Sequence, residues 1–597
     1  MSAVIAKSVT ETSARPPFAL YIAIIWLFAA LLSVWGAREP ILGGQLVGPD
    51  DLMRIVQVRD FLAGQNWFDV SQHRMNTPWG APMHWSRIVD LPLAAIIYVL
   101  TPVLGTEMAE RTALVAVPLT TLFLVMLMAG LLIRRVAGPK YALLGVMFVP
   151  ALVEIAQQLK PMRIDHHGWQ ILLGVTAVHA LLLTRAGRAG LLAGAAMSMW
   201  MHISIEGLPY AVAIGIALAI RAALDPAETR RLLSYMSALT LCSALLFVGT
   251  QPSGLWQESW CDAMMPAYFA AFGASLLVML PLANQALSDV RIRFAVLAAA
   301  GISGVGALAA VDPACTAGPF AQLTPFVRTF WYARVLEGQP LWHAAFGASL
   351  IPVVQISLGA AGYAYALRRR ASPLPQRDLL TVAGLFLIAT MIGLLVARTI
   401  AHAEILALPG TMILLGAALP RVRQLRRPAR TFATIGVILM VFPITPLFGY
   451  AFYLKVTNSY AEQMQTAISS ERCNSPANWR AVQALPVGRV YAPIDIAPTI
   501  LALTDHGLVA SGHHRNQAAM GEAMRGFVTG GDDARTLVER RGVTHVIWCE
   551  GLPEVERYVE KAPNGFMAKL RDGRAPDWLR PVPQDDVTPV RIYEVVR

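Results

Sequence analysis

Charge is scarce in this chain. Of 597 residues only 15% are Asp, Glu, Lys or Arg, against about a quarter in a soluble domain. With 55% hydrophobic residues and a mean hydropathy of +0.51, that scarcity excludes an ordinary soluble protein. A glycine-rich nucleotide loop, a Walker pattern and a serine nucleophile elbow are also missing, so nothing points to a bound nucleotide or to serine hydrolysis. There is no internal repeat and no low-complexity tract, and no signal peptide is evident before Phe18. Cysteine is sparse, at five residues. The formal net charge of +11 does not indicate a nucleic-acid partner, because the basic residues fall in short loops between apolar runs.

What is abundant is long apolar sequence. Runs recur from Phe18 to Tyr453, the mark of a polytopic helical membrane protein. The runs 18–36, 110–133, 141–157, 169–184, 189–204, 207–223, 232–250, 265–283, 292–311, 344–366, 379–397, 403–419 and 429–453 predict about thirteen spans. Segment 91–105 is short and ends in a stretch containing Pro and Gly, so it is expected to lie at the interface or re-enter. Its status decides orientation. If it does not cross, the clusters Arg134–Arg135–Lys140, Arg185–Arg188, Arg221–Arg230–Arg231, Arg291–Arg293, Arg368–Arg370 and Arg421–Arg430 all become cytoplasmic, joined by Lys7 and Arg15.

The loops at 37–109, 158–168, 205–206, 251–264, 312–343 and 398–402 then face the outside. From about 454 the composition changes: strand-like runs (GRVYAPI, GLVAS, THVIWC, VRIYEVV) alternate with helical ones (QAAMGEAMRGF, DDARTLVERRG). The expected organisation is a membrane domain over 1–453, with a first outer loop at 37–109, and a small extracytoplasmic α/β domain over 454–597. Cys242 falls in a span and the other four cysteines fall outside, where disulfides form. Cys261–Cys315 and Cys473–Cys549 are the natural pairs, with four free thiols an equal alternative.

Two polar knots interrupt the apolar pattern. QQLKPMRIDHHGWQ carries Asp165, His166 and His167 beside Lys160 and Arg163. Such a knot between spans is costly unless it faces water or a cavity, so it marks a functional site. GPDDLMRIVQVRDFL carries Asp50 and Asp51 at the start of an amphipathic helix, where either could instead serve as its N-terminal cap. Asp165 and His167 can reach one divalent ion from a turn; carboxylate plus imidazole suits Mn²⁺ or Zn²⁺, and carboxylate alone suits Mg²⁺. Capping of the following span by Asp165 is the plainer reading. Arg163, Arg328, Arg334, Arg398 and His402 are cations on the outer face, where positive charge is disfavoured, and arginine forks suit phosphate. Glu206 and Glu337 are further outer carboxylates, fit to ligate metal or hold a sugar hydroxyl. HWSR, with His84 and Arg87, and HHRN, His513 to Asn516, complete the candidates. An outward-facing enzyme has no nucleotide sugar at hand, so an activated donor should arrive on a lipid.

Taken together, these residues resemble the GT-C superfamily of membrane glycosyltransferases, most nearly the catalytic subunit of oligosaccharyltransferase. GPDDLMRIVQVRDFL resembles that family's first acidic motif, with Asp50 aligned by its distance to Arg59 and Asp60. RIDHHGW resembles the second, which puts Asp165 and His167 in the metal-binding places. Arg398 resembles the arginine that holds the donor phosphate. The WWDYG acceptor motif is missing from the C-terminal domain, whose nearest string is NWRAVQAL, and 312–343 shows no counterpart of the fifth-loop signature. The resemblance therefore implies a bacterial-type enzyme acting on a cell-surface glycan, a lipid or a protein without the asparagine sequon.

As an expectation, Asp50, Asp51 and Asp165 are catalytic and Asp50, Asp165 and His167 hold a divalent metal (Mg or Mn). Arg163, Arg334, Arg398 and His402 hold the phosphate of a polyprenyl-phosphate-linked donor, and transfer inverts the anomeric centre in a multi-pass plasma-membrane protein. A flippase of lipid-linked glycans would use the same cations, but it calls for paired inverted halves and broken midplane helices. A scaffold without activity would need no acidic knots.

Overall fold

The computed structural model describes residues 17–46, 48–284, 287–456, 472–584 and 588–596. It is a multi-pass helical membrane protein topped by a sheet domain. Among the described residues ten helices are long and apolar enough to cross a bilayer, and eleven if the pair Ala429–Val441 and Thr445–Val456, bent by 82°, is one span. Nine match predicted runs, and the tenth is 87–104.

The count falls below thirteen for a local reason. Run 141–157 breaks around Pro150 into helices Pro139–Phe148 and Val153–Gln158. Run 169–184 is the 15-residue helix His167–Leu181. Run 189–204 lies in Ala186–Ile203, rich in Gly and Ala. All three pack in the membrane core, walled by neighbouring helices, so they need little apolar length of their own. Gly190 and Gly194 of Ala186–Ile203 let it press on the backbone of helix Thr229–Thr250, where an added Cβ would lie 2.1 and 2.4 Å from carbonyl oxygens. Lys7 and Arg15 lie outside the described residues.

The chain forms two hydrophobic cores. One holds the spans. The other joins the segment 48–89 to the C-terminal domain, bringing Met53, Val56, Met75 and Met83 together with Val490, Leu508 and Met520. Helix Asp90–Leu104 belongs to this second core through Leu93, Ala94 and Ile97. Length and composition let it cross, against the expectation of an interfacial or re-entrant piece, and it packs both on helix Thr106–Val136 and in the core shared with the domain. Helix Thr106–Val136, of 31 residues, rises about 46 Å. In its second turn Glu110 pairs with Arg59.

The domain has a five-stranded sheet, β1 Arg489–Tyr491, β2 Gly507–Leu508, β3 His545–Cys549, β4 Leu579–Pro581 and β5 Val590–Val595, in the order β2-β1-β3-β5-β4. β1 runs parallel to β2 and β3, and β5 antiparallel to β3 and β4. The four strand-like runs of the sequence are β1, β2, β3 and β5, and the helical runs are Gln517–Val528 and Asp532–Arg541. Residues 74–77 add to the edge beside β2: Thr77 N donates to Leu508 O at 3.0 Å and Leu508 N to Arg74 O at 2.7 Å. Disulfides Cys261–Cys315 and Cys473–Cys549 are both formed.

Candidate functional site

The two knots meet where the cores meet. Gly48 caps helix Pro49–Leu62 in an extended conformation, with Pro49 in its first turn and Asp50 and Asp51 beside the N-terminal N–H groups, where negative charge is favourable. Pro161 follows the short helix Val153–Gln158, and Met162 adopts a left-handed φ of 68° with its N–H on Leu114 O at 3.0 Å. This turn delivers residues 163–165 to Asp51. Asp51 Oδ1 accepts from Ile164 N at 2.7 Å and Asp165 N at 2.9 Å, and Oδ2 accepts from Arg163 Nη1 at 2.9 Å. Asp51 is fully buried and its acceptors are used; it fastens one knot to the other and does not line the cavity. A Cβ on Gly48 would lie 3.1 Å from Arg163 Nη1, so this corner also needs a small residue.

Asp165, His166 and His167 then converge. Asp165 Oδ1 lies 2.5 Å from His166 Nδ1, and Oδ2 lies 3.2 Å from His167 Nε2 and 3.4 Å from Arg163 Nη2. The ring nitrogens are close enough to pair with the carboxylate, but both are buried and outside hydrogen-bond geometry. Burial works against charge on Asp165, yet the two histidines and Arg163 outweigh it and hold the carboxyl well below its usual range. The three residues form a compact potential ligand set. It holds His166, which the expected set lacked, and not Asp50.

Asp50 points elsewhere, into a cavity of about 480 Å³ between the spans and the domain. Its side chain is 36% exposed there, and Oδ1 lies 3.8 Å from His513 Nε2. Burial of the surroundings, then the carboxylates of Asp165 and Glu337, push its acid up to about 7. Arg163 and His166 line the same cavity, so both knots border one space. Arg334, Glu206, Glu337 and Arg398 line it too. Arg398 sits between two carboxylates: Nη2 contacts Glu206 Oε1, and Nη1 is 3.7 Å from Glu337 Oε1. Glu206 Oε2 also accepts from Gln170 Nε2 at 3.2 Å. Arg334 is exposed in the cavity and makes no ion pair among the described residues.

Asp51, Asp165, His167, His402 and Arg87 are not in the lining of this space, and the last two are located away from both knots. His402 stacks on Trp200, with ring centroids 4.5 Å apart at 9°, and its Nδ1 is 3.1 Å from Thr399 O; it belongs to an aromatic nest among the spans. Arg87 is buried under Phe61 and donates to Gln57 O, Gln65 Oε1 and Asp69 O. It braces the segment between helices Pro49–Leu62 and Asp90–Leu104. Sequence reading missed Asp262, which lines the cavity and accepts two hydrogen bonds from Arg515, from Nε and Nη2, each at 2.9 Å. Its adjacency to Cys261, one half of an expected disulfide, was the available signal. Asp495, on the domain side, was also missed.

No protein-family model and no curated protein matches the sequence. Solved structures do. The oligosaccharyltransferase of the archaeon Archaeoglobus fulgidus, in complex with an inhibitory peptide and a dolichol-phosphate, superposes with a TM-score of 0.62 and 15% identity, covering 89% of this chain and 69% of its own. The same enzyme tethered to an acceptor peptide with an NVT sequon gives 0.59 at 15% identity, covering 91% and 71%. Its complex with zinc and sulfate gives 0.53 at 15%, covering 88% and 68%. The chain thus has the fold of the GT-C membrane glycosyltransferases that its sequence resembles.

Proposed function

We propose that this chain is an inverting glycosyltransferase that moves a sugar from a polyprenyl-phosphate-linked donor to an acceptor on the membrane face bearing the C-terminal domain. The observation that carries the reading is the single cavity bordered by Asp50 and by the Asp165 knot, at the depth where spans give way to the domain. A lipid tail between spans would put its phosphate at that depth.

In this reading the acceptor hydroxyl lies at Asp50. Its oxygen attacks the anomeric carbon from the face opposite the phosphate, the bond from that carbon to the phosphate oxygen breaks, and the hydroxyl proton goes to Asp50. The lipid phosphate leaves with the bonding electrons. Arg334 and Arg398 are aimed at its charge. Arg398 must exchange a carboxylate partner for phosphate, and Glu337, at the cavity edge, is the freer of the two.

The donor set at the knot fits a divalent ion: one carboxylate and two buried imidazole nitrogens without hydrogen-bond geometry. Asp165, His166 and His167 would hold it, a set suited to manganese or zinc more than to magnesium. When bound, the ion supplies positive charge against the leaving phosphate. Arg163 keeps Asp165 charged, and Asp51 fixes the loop that presents it. The zinc and sulfate complex of the archaeal enzyme is in keeping with this.

The test uses purified protein in lipid discs with synthetic polyprenyl-phosphate and polyprenyl-diphosphate sugars, scoring lipid-phosphate release against movement of intact donor between leaflets. Transfer or hydrolysis supports the reading. Translocation with no bond broken would replace it with the flippase.

A further inference from the structure

Two sequence motifs, HWSR and HHRN, are left over by the transfer mechanism, and they meet. His84 of the first and His514 of the second have ring centroids 4.4 Å apart, tilted by 50°. Between them comes Asp262, whose Oδ2 lies 2.7 Å from His514 Nε2. Candidate ligand atoms of the three residues all lie within 4.8 Å of one another. They come from three separate pieces of chain: the first outer segment, the 251–264 loop and the C-terminal domain. His84 Nδ1 is sealed from solvent and has no hydrogen-bond partner among the described residues. A buried imidazole nitrogen left unpaired costs free energy, so the arrangement calls for a partner that the protein does not supply.

We propose that His84, Asp262 and His514 form a second divalent-metal site in the cavity wall, held by three protein ligands and open toward the cavity. Two imidazoles and a carboxylate make a set that suits zinc, and three protein ligands leave a position for an oxygen of whatever occupies the cavity. All three residues line that space. The outer shell is built to match. Arg515 grips both oxygens of Asp262 and donates to Met83 O at 2.9 Å, fixing the carboxylate and the backbone next to His84 together. Outer-shell partners of this kind orient ligands in known metal sites. Phe320 and Trp331 shield His514 on its other side, with ring centroids 5.1 and 6.3 Å away.

The Cys261–Cys315 disulfide adjoins Asp262 and ties this wall to the 312–343 loop. A metal here would clasp the domain to the membrane part at the rim of the cavity. The inference does not depend on glycosyl transfer.

The experiment counts zinc. Full-length protein in detergent is stripped with chelator, dialysed against zinc chloride and assayed for bound zinc per chain by mass spectrometry. His84→Gln and His514→Gln should each lose one equivalent relative to the parent, and each should keep the equivalent that Asp165→Asn removes. As a check that does not rely on the histidine variants folding, X-ray absorption on zinc-loaded Asp165→Asn protein should show two imidazoles and oxygen around the metal. Undiminished zinc in both histidine variants, or no zinc bound by Asp165→Asn protein, overturns the site. If instead the parent binds one equivalent that survives Asp165→Asn and is lost in His84→Gln, the wall site stands and the metal proposed at the Asp165 knot falls.

Discussion

At the scale of single residues, Asp50 and Asp51 are neighbours with opposite work. Asp50 faces the cavity and makes no hydrogen bond among the described residues, so Asp50→Asn should cut transfer by at least about a hundredfold and leave thermal unfolding unchanged. Asp51 holds two backbone N–H groups and Arg163. Asp51→Ala would strand all three and should cost about 3 kcal/mol, read as a lower unfolding temperature in detergent along with lost activity. Equal behaviour of the two variants would contradict the assignment. The acid of Asp50 is pushed up to about 7. A base acts only when deprotonated, so the transfer rate should climb as pH rises through about 7 and level off above. Glu337 is one of the carboxylates raising it, so Glu337→Gln should move that rise to lower pH. A rate flat from pH 5 to 9 would remove Asp50 as the base.

The acidic knots were legible in the sequence because a carboxylate between apolar runs has few innocent uses. The resemblance singled out Asp50 of the pair, but nothing in the sequence showed that Asp51 would be spent on two backbone N–H groups and Arg163. Nor could sequence show that His402 would be enclosed by Trp200 and Tyr210, or that Arg87 would spend its donors on backbone carbonyls. Positive-inside statistics marked His402 as unusual but say nothing of partners.

At the scale of elements, the loop at the far ends of the spans shows how arginines serve as structure. Glu228 is buried and takes Arg221 and Arg231 at 2.9 Å and Arg377 at 3.0 Å, while Arg221 also reaches Asp378 at 2.9 Å. Three spans are tied there: Leu208–Leu224, Thr229–Thr250 and Gln376–Leu395. Glu228→Gln leaves three guanidinium groups with one fewer countercharge and should destabilise by about 3 kcal/mol, seen as a lower melting temperature with little change in the rate per folded molecule. An unchanged melting temperature would show the network to be idle. Long apolar spans were readable from hydropathy, and so were four of the five strands of the sheet. The interior runs 141–157, 169–184 and 189–204 were read as well; what hydropathy did not show is that the first is broken and that all three are walled by neighbouring helices.

At the scale of the whole molecule, the predicted split at 453/454 separates chain segments but cuts through a core. Met75, Met83 and Trp85, from the segment before helix Asp90–Leu104, pack with the C-terminal domain. Arg74 donates to Leu501 O and Thr504 O, and Arg541 to Asn76 Oδ1 and Thr77 O. A chain ending at residue 456 should therefore aggregate on gel filtration, its outer apolar face uncovered; a monodisperse truncated protein would refute the shared core. The long-range pairing of residues 74–77 with the edge beside β2 joins positions over 400 apart, a distance that no local pattern reveals.

The central claim is that the two knots act on one phosphate-activated sugar. It is tested most directly by the anomeric configuration and yield of product formed by purified parent protein and by an Asp50→Asn, Asp165→Asn double variant, from the same polyprenyl-phosphate sugar. The account predicts an inverted product from the parent and none from the variant. A retained configuration, or undiminished product from the variant, would contradict it.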